Sequence, residues 1–403
     1  MLSVLAGGRV IDPANGRDAI GDVWFENGRI IAPPARAPDV RHDAQGMIVL
    51  AGGIDIHSHI AGAAVNTARL LLPELRGESG FAAAPVGAVI GRLYASMGFT
   101  LVVEPAISPP LALQAHLELG AIPYIDRAIL AVLGNEDFLP GAMGQGETAV
   151  ADYAARMLDG SHALGVKCVN PGAAAAFKEN ARSFGLDDVV PRWGVSSRAV
   201  ITALQRAVQR IGIAHPLHLH CNNLGVPGNA ATALATIEAA GDLPLHLAHL
   251  QFYAYGTEGP RGFSSAAPQL AEAVNAHRNI TTDVGQVMFG QTVTVSSDVM
   301  RQFNARGGAH PRKWAMIEGE GNGFGVVPFR YRRRSFANAV QWAAGLELFL
   351  LITDPWRVFF TTDHPNGGPF TTYPDLFALL MDRDRRAEWI ASVPAEAIAL
   401  TTL

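Results

Sequence analysis

The stretch "AGGIDIHSHIAG", residues 51–62, carries an apolar run past two glycines and into two histidines separated by one serine. Side chains at i and i+2 of a strand point the same way. His57 and His59 can therefore reach a single point, and a metal ion is the candidate for it, since neutral imidazole is the commonest metal ligand.

Upstream, residues 1–50 alternate apolar and polar positions, with turn signals at Asn15-Gly16 and Asn27-Gly28. Such pairs suit tight hairpins, so a small β domain of short antiparallel strands is expected there. Downstream, β-rich runs alternate with Ala/Leu-rich segments of helical period, which argues for parallel strands joined by helices. The strand candidates are "MIVLAGGIDIH", "GFTLVVEP", "RAILAVLGN", "ALGVKCVN", "PLHLHCN", "LPLHLAHL", "NITTDVGQ" and "WRVFFTTDHP". Between them, segments such as "ISPPLALQAHLELG", "RAVITALQRAVQRIG" and "SFANAVQWAAGLELFLL" supply outer helices. The expected fold is α/β: a (β/α)8 TIM barrel over residues 51–385, a small N-terminal β domain over 1–50 and a helical tail over 386–403.

Composition excludes several classes of function. The 403 residues are 49% apolar, enough for a large core, and the 42 glycines and 25 prolines follow no repeat. A net charge of −5 without a basic domain gives no nucleic-acid footprint. The N-terminus "MLSVLAGGRVIDP" lacks a basic leader, and no apolar stretch reaches the roughly 18 residues of a membrane span, so a cytoplasmic protein with no membrane contact is expected. Cys168 and Cys221 allow at most one bridge and are expected to be buried free thiols.

Active sites of such barrels sit at the C-terminal ends of the strands. His57, Glu104, Asn135, Lys167, His220, His249, Asp283 and Asp363 stand at those ends and converge on one mouth. Two metal ions about 3.5–4 Å apart need several ligands and a bridging anion. His57, His59, His220 and His249 offer neutral nitrogens suited to zinc, and Asp363 in "TTDHPNGG" offers a carboxylate. Within "HPLHLHCNN" and "LPLHLAHLQ", His220 and His249 lie nearest the strand ends. His218 shares the face of His220 one layer deeper, where it can hydrogen-bond a ligand, and His246, of opposite parity to His249, is expected against a helix. Lys167 in "GVKCVNPG" can supply the bridge as a carbamate formed with carbon dioxide, which needs a neutral amine. Lys178, after "GAAAAF", is the alternative.

These residues resemble the amidohydrolase superfamily: "GGIDIHSH" at entry, a lysine ending the fourth strand, histidines ending the fifth and sixth, and an aspartate ending the eighth. The longer motifs "HLHCNNLG", "KCVNPG", "NAVQWAAGLELFLLITDPWRV" and "TTDHPNGGPFT" resemble the amidohydrolase-type subunits of formylmethanofuran dehydrogenases and of the related bacterial formyltransferase/hydrolase complexes, over roughly residues 1–385. The resemblance implies two zinc ions held by His57, His59, His220, His249 and Asp363 and bridged by carboxylated Lys167, preferred to Lys178 because "VNPG" follows it. It also implies hydrolysis of the N-formyl amide of formylmethanofuran, or the reverse condensation, with Asp363 moving the proton and other subunits as partners. Asn222, Asn223 and His364 are the expected substrate contacts, and Arg330, in the run "FRYRRRS", is expected to grip the carboxylates of a methanofuran-type tail. A cyclic-amide hydrolase of dihydroorotase or dihydropyrimidinase type would use the same ligands, and a formate-condensing dehydrogenase subunit the same site. Only about 40 residues follow Asp363, fewer than the superfamily's usual C-terminal return, so either a reduced small β domain or a short or truncated form of the chain is expected.

Overall fold

The computed structural model describes residues 1–71, 86–173, 176, 184–296 and 324–403. Lys178 lies outside them. The chain forms two compact units, Met1–Gly53 and Ile54–Leu403.

The first unit is a five-stranded sheet. Leu2–Asp12 and Arg17–Glu26 pair antiparallel, as do Arg17–Glu26 and Arg29–Ile31. Both turns form where the Asn-Gly pairs stand: Asn27 and Gly28 have φ of 52° and 74°, the left-handed values a two-residue hairpin demands. Val40–Asp43 and Ile48–Val49, however, pair parallel to Leu2–Asp12, so the sheet is mixed, not antiparallel throughout. The run "MIVLAGGIDIH" is also not one strand. Ile48–Val49 belongs to this sheet, and the barrel begins with Gly53–Asp55.

The second unit is built on eight parallel strands that neighbour one another in chain order: Gly53–Asp55, Phe99–Ile107, Asp126–Val132, Gly165–Val169, Leu217–His220, Leu245–Leu247, Ile280–Asp283 and Val358–Phe359. Each of the eight overlaps one of the strand candidates. A parallel bridge between Ser58 and His364 joins the first strand's end to the eighth's and closes the barrel. The fourth and fifth strands are buried at every position, as expected of parallel strands covered on both faces. The covering helices include Ala112–Gly120, Ser197–Ile211 and Phe336–Leu351, each on a segment of helical period. Ser196 and Ser335 cap the last two by accepting the Ala199 and Asn338 amides. Residues 336–348 are buried all round, which makes this helix part of the core, not an amphipathic cover.

Residues 386–403 are not a separate tail. Arg383–Ala391 and Ala395–Ile398 pack within the second unit, where Trp389 is buried under the Arg333 guanidinium at 4.1 Å and Glu347 accepts the Thr402 hydroxyl at 2.6 Å. Cys168 and Cys221 are buried and free. Among the described residues, no helix is long and apolar enough to cross a membrane.

Candidate metal centre

His57, His59, Lys167, His220, His249 and Asp363 are all buried, and all line one pocket at the C-terminal ends of the strands. They come from five different strands, so only closure of the sheet brings them together.

His57 and His59 follow the short first strand, and each is held at Nδ1 so that Nε2 faces Asp363. His57 Nδ1 lies 3.1 Å from Asp283 Oδ2 and 2.9 Å from His218 Nε2, and its Nε2 is 3.1 Å from Asp363 Oδ1. His59 Nδ1 lies 2.9 Å from Glu104 Oε1, and its Nε2 is 3.4 Å from Asp363 Oδ1. The other Glu104 oxygen accepts the amides of Ile60 at 2.7 Å and Ala61 at 3.0 Å, so one buried carboxylate orients both the ring and the backbone behind it. Glu104 was legible as a strand-end residue, but its grip on His59 depends on the packing of two strands 45 residues apart.

Asp363 and His249 stand just past their strands in left-handed conformations, φ 50° and 36°, which non-glycine residues adopt at a cost. Thr361 and Asn366 hold Asp363: its amide donates to Thr361 Oγ1 and its Oδ1 accepts from Asn366 Nδ2 at 3.0 Å, while Thr361 Oγ1 in turn donates to the His57 carbonyl at 2.7 Å. Burial raises the Asp363 pKa, but His57 and His249 outweigh it and hold the carboxyl well below the usual carboxylate range. On His59, burial opposes the charge, yet Glu104 and Asp363 push the pKa up to about 9, so without a metal this ring carries a proton that a metal must displace.

The fit to a metal rests on atoms the protein itself leaves unsatisfied. Lys167 Nζ and His249 Nδ1 are buried with no hydrogen-bond partner among the described residues. One ligand atom each from His57, His249 and Asp363 lie within 4.8 Å of one another. Neutral imidazoles plus a carboxylate form a zinc-type donor set. Register places Lys167 opposite His218, one layer below His220, so its long stem rises into the pocket. Burial lowers its pKa to about 8 against the pull of Asp283 and Asp363.

His218 lies one layer deep against His57, as expected. His246 does not. It pairs in register with His218, points into the barrel, and brings Nε2 within 3.0 Å of Asp283 Oδ2. Parity counted back from His249 misplaces it, because His249 has already left the strand.

The four expected substrate contacts stand outside the pocket lining. Asn222 donates to Ser197 Oγ at 2.7 Å, while Asn223 bonds the Phe184 backbone in both directions and donates to Thr232 Oγ1. His364 accepts the Phe370 amide on Nδ1 at 3.2 Å. Arg330 is exposed, whereas Tyr331, next in the strand Phe324–Tyr331, is buried and lines the pocket; alternation sends the arginine outward. Tyr331, Phe252 and Asn366 line the pocket, and composition gave no sign of them.

Residues 42–402 match the model of the amidohydrolase family. The chain is 52% identical over 409 residues to FhcA of the formyltransferase/hydrolase complex of Methylorubrum extorquens, covering 98% of this chain and 75% of that protein. It is 35% identical over 415 residues to protein FwdA of Methanocaldococcus jannaschii, covering 97% and 72%. A dihydroorotase from Endomicrobium trichonymphae is 46% identical over 52 residues, 13% of this chain. The crystal structure of the Methylorubrum extorquens formyltransferase/hydrolase complex with methylofuran superposes with a TM-score of 0.91 at 51% identity, over 100% of this chain and 76% of that one. Fold, family model and full-length relatives agree: the chain belongs to the amidohydrolase family.

Proposed function

We propose that this chain is the amidohydrolase component of a cytoplasmic multisubunit complex and that it hydrolyses the N-formyl amide of a formylmethanofuran-type coenzyme to formate and the free amine. The convergence of His57, His59, Lys167, His220, His249 and Asp363 on one pocket carries this reading. The substrate class comes from the relatives, which are similar along almost the whole chain, including one crystallised with methylofuran.

His57, His59, His220, His249 and Asp363, together with Lys167 carboxylated on Nζ, would hold two zinc ions. When bound, the pair supplies a Lewis acid and a water whose pKa is brought near neutrality. Asp363, ionised at neutral pH, takes the proton from the attacking water as the C–O bond forms. It returns that proton to the amine nitrogen as the formyl C–N bond breaks. Val169, Leu224 and Phe252 wall the pocket and limit bulk water around the reacting amide. The same groups would catalyse the reverse reaction, condensation of formate with the free amine.

The test is formate release from N-formylated methanofuran, or from formylated furfurylamine, by the zinc-loaded protein in its complex. Asp363→Asn is expected to keep most zinc and lose at least about 10²-fold in turnover, the usual scale of general acid–base catalysis. Full turnover in that variant would remove Asp363 from the proton path. Turnover of dihydroorotate in place of formate release would move the chain to the cyclic-amide hydrolases.

A further inference from the structure

Asp283, at the end of the seventh strand, is fully buried and stands outside the lining of the histidine pocket, yet three donors converge on it. Its Oδ1 accepts the His249 amide at 2.7 Å. Its Oδ2 faces His246 Nε2 at 3.0 Å and His57 Nδ1 at 3.1 Å. We infer that Asp283 is the positioning residue of the centre, fixing the His57 tautomer through its ring and the His249 backbone through its amide. The inference rests on the metal reading above and names the group that prepares two of its ligands.

The protons follow from the partners. The Asp283 carboxylate can only accept, so the His246 proton sits on Nε2, 3.0 Å from it, and the Thr281 hydroxyl, 2.9 Å from Nδ1, donates to the ring's other nitrogen. His57 Nδ1 faces the same carboxylate oxygen at 3.1 Å and His218 Nε2 at 2.9 Å. The carboxylate has no hydrogen to give, so Nδ1 is the donor of that contact. The His57 proton belongs on Nδ1, and the lone pair belongs on Nε2, the atom facing Asp363 and the pocket. A carboxylate can serve all three donors because neither oxygen carries hydrogen.

An asparagine of the same shape cannot. With its oxygen on the His249 amide, its NH2 faces two N–H groups, and His57 must move its proton to Nε2 and block the metal-facing lone pair. With the amide turned over, NH2 opposes the His249 N–H instead, at a residue already held at φ 36°. Either way one ligand loses its orientation, whereas the His59–Glu104 pair stays intact.

The experiment has two arms. Zinc affinity, measured by chelator competition on wild type and Asp283→Asn, is expected to fall about 10–100-fold in the variant, the usual effect of losing a partner behind a ligand; equal affinity would overturn the inference. The second arm needs no variant: with 15N-labelled histidine in the zinc-loaded wild type, two-bond 1H–15N spectra are expected to show His57 protonated at Nδ1 and unprotonated at Nε2. A proton on Nε2 instead would overturn it whether or not the variant folds. A wild type that binds no zinc sinks the metal reading; in that sample Nε2 faces the Asp363 carboxylate at 3.1 Å and Nδ1 is the atom to read, an unprotonated Nδ1 overturning the role of Asp283.

Discussion

Lys167 buries a four-carbon stem and its amine inside the barrel, and Nζ meets no partner among the described residues. A solitary buried ammonium is costly, so burial favours the neutral amine that carbamate formation needs. Lys167→Ala is expected to lose most of its bound zinc and to regain part of it with a short carboxylic acid such as propionate, as read by metal analysis after gel filtration. Wild-type zinc content in that variant would pass the bridge to Lys178. The residues that converge on the pocket were legible one by one, because histidine, lysine and aspartate at strand ends have few other reasons to stand together. Asn223 and Arg330 misled for a related reason: proximity in sequence to a ligand or to a basic run does not say where a side chain points.

At the scale of elements, the loops after the strands do the aiming. His249 and Asp363 leave their strands in left-handed turns, and Gly285, at φ 65°, passes between them. A Cβ on Gly285 would stand 2.4 Å from His249 Cβ and 2.9 Å from its Cα, too close to be relieved by a side-chain rotation. Gly285→Ala is therefore expected to cost at least about 1–3 kcal/mol by overpacking and to weaken zinc binding as His249 is pushed aside. Thermal unfolding and chelator competition check both; an unperturbed zinc affinity would mean that the seventh-strand loop can yield without moving the ligand. The helices and the two Asn-Gly turns were readable from periodicity and turn chemistry. The parallel pairing of Val40–Asp43 and Ile48–Val49 was not, because a short strand with no adjacent hairpin partner carries no local mark of direction.

Across the whole molecule, a metal held at the buried centre would add to the second unit's stability. A ligand present at 1,000 times its Kd stabilises the folded form by about 4 kcal/mol. Stripping zinc with a strong chelator is expected to lower the Tm of the barrel transition by several degrees, with recovery on re-addition, as calorimetry would show; a Tm indifferent to chelation would mean that no metal holds these strand ends together. The number and order of the barrel strands, the helices between them and the identity of the donor residues came from the sequence by itself, since periodicity, turn residues and side-chain chemistry are local properties. Which nitrogen each histidine presents, which way His246 faces and what Asp283 holds were decided only by the tertiary structure. His57 and Asp283 are 226 residues apart, and their contact exists only because the sheet closes on itself in one register.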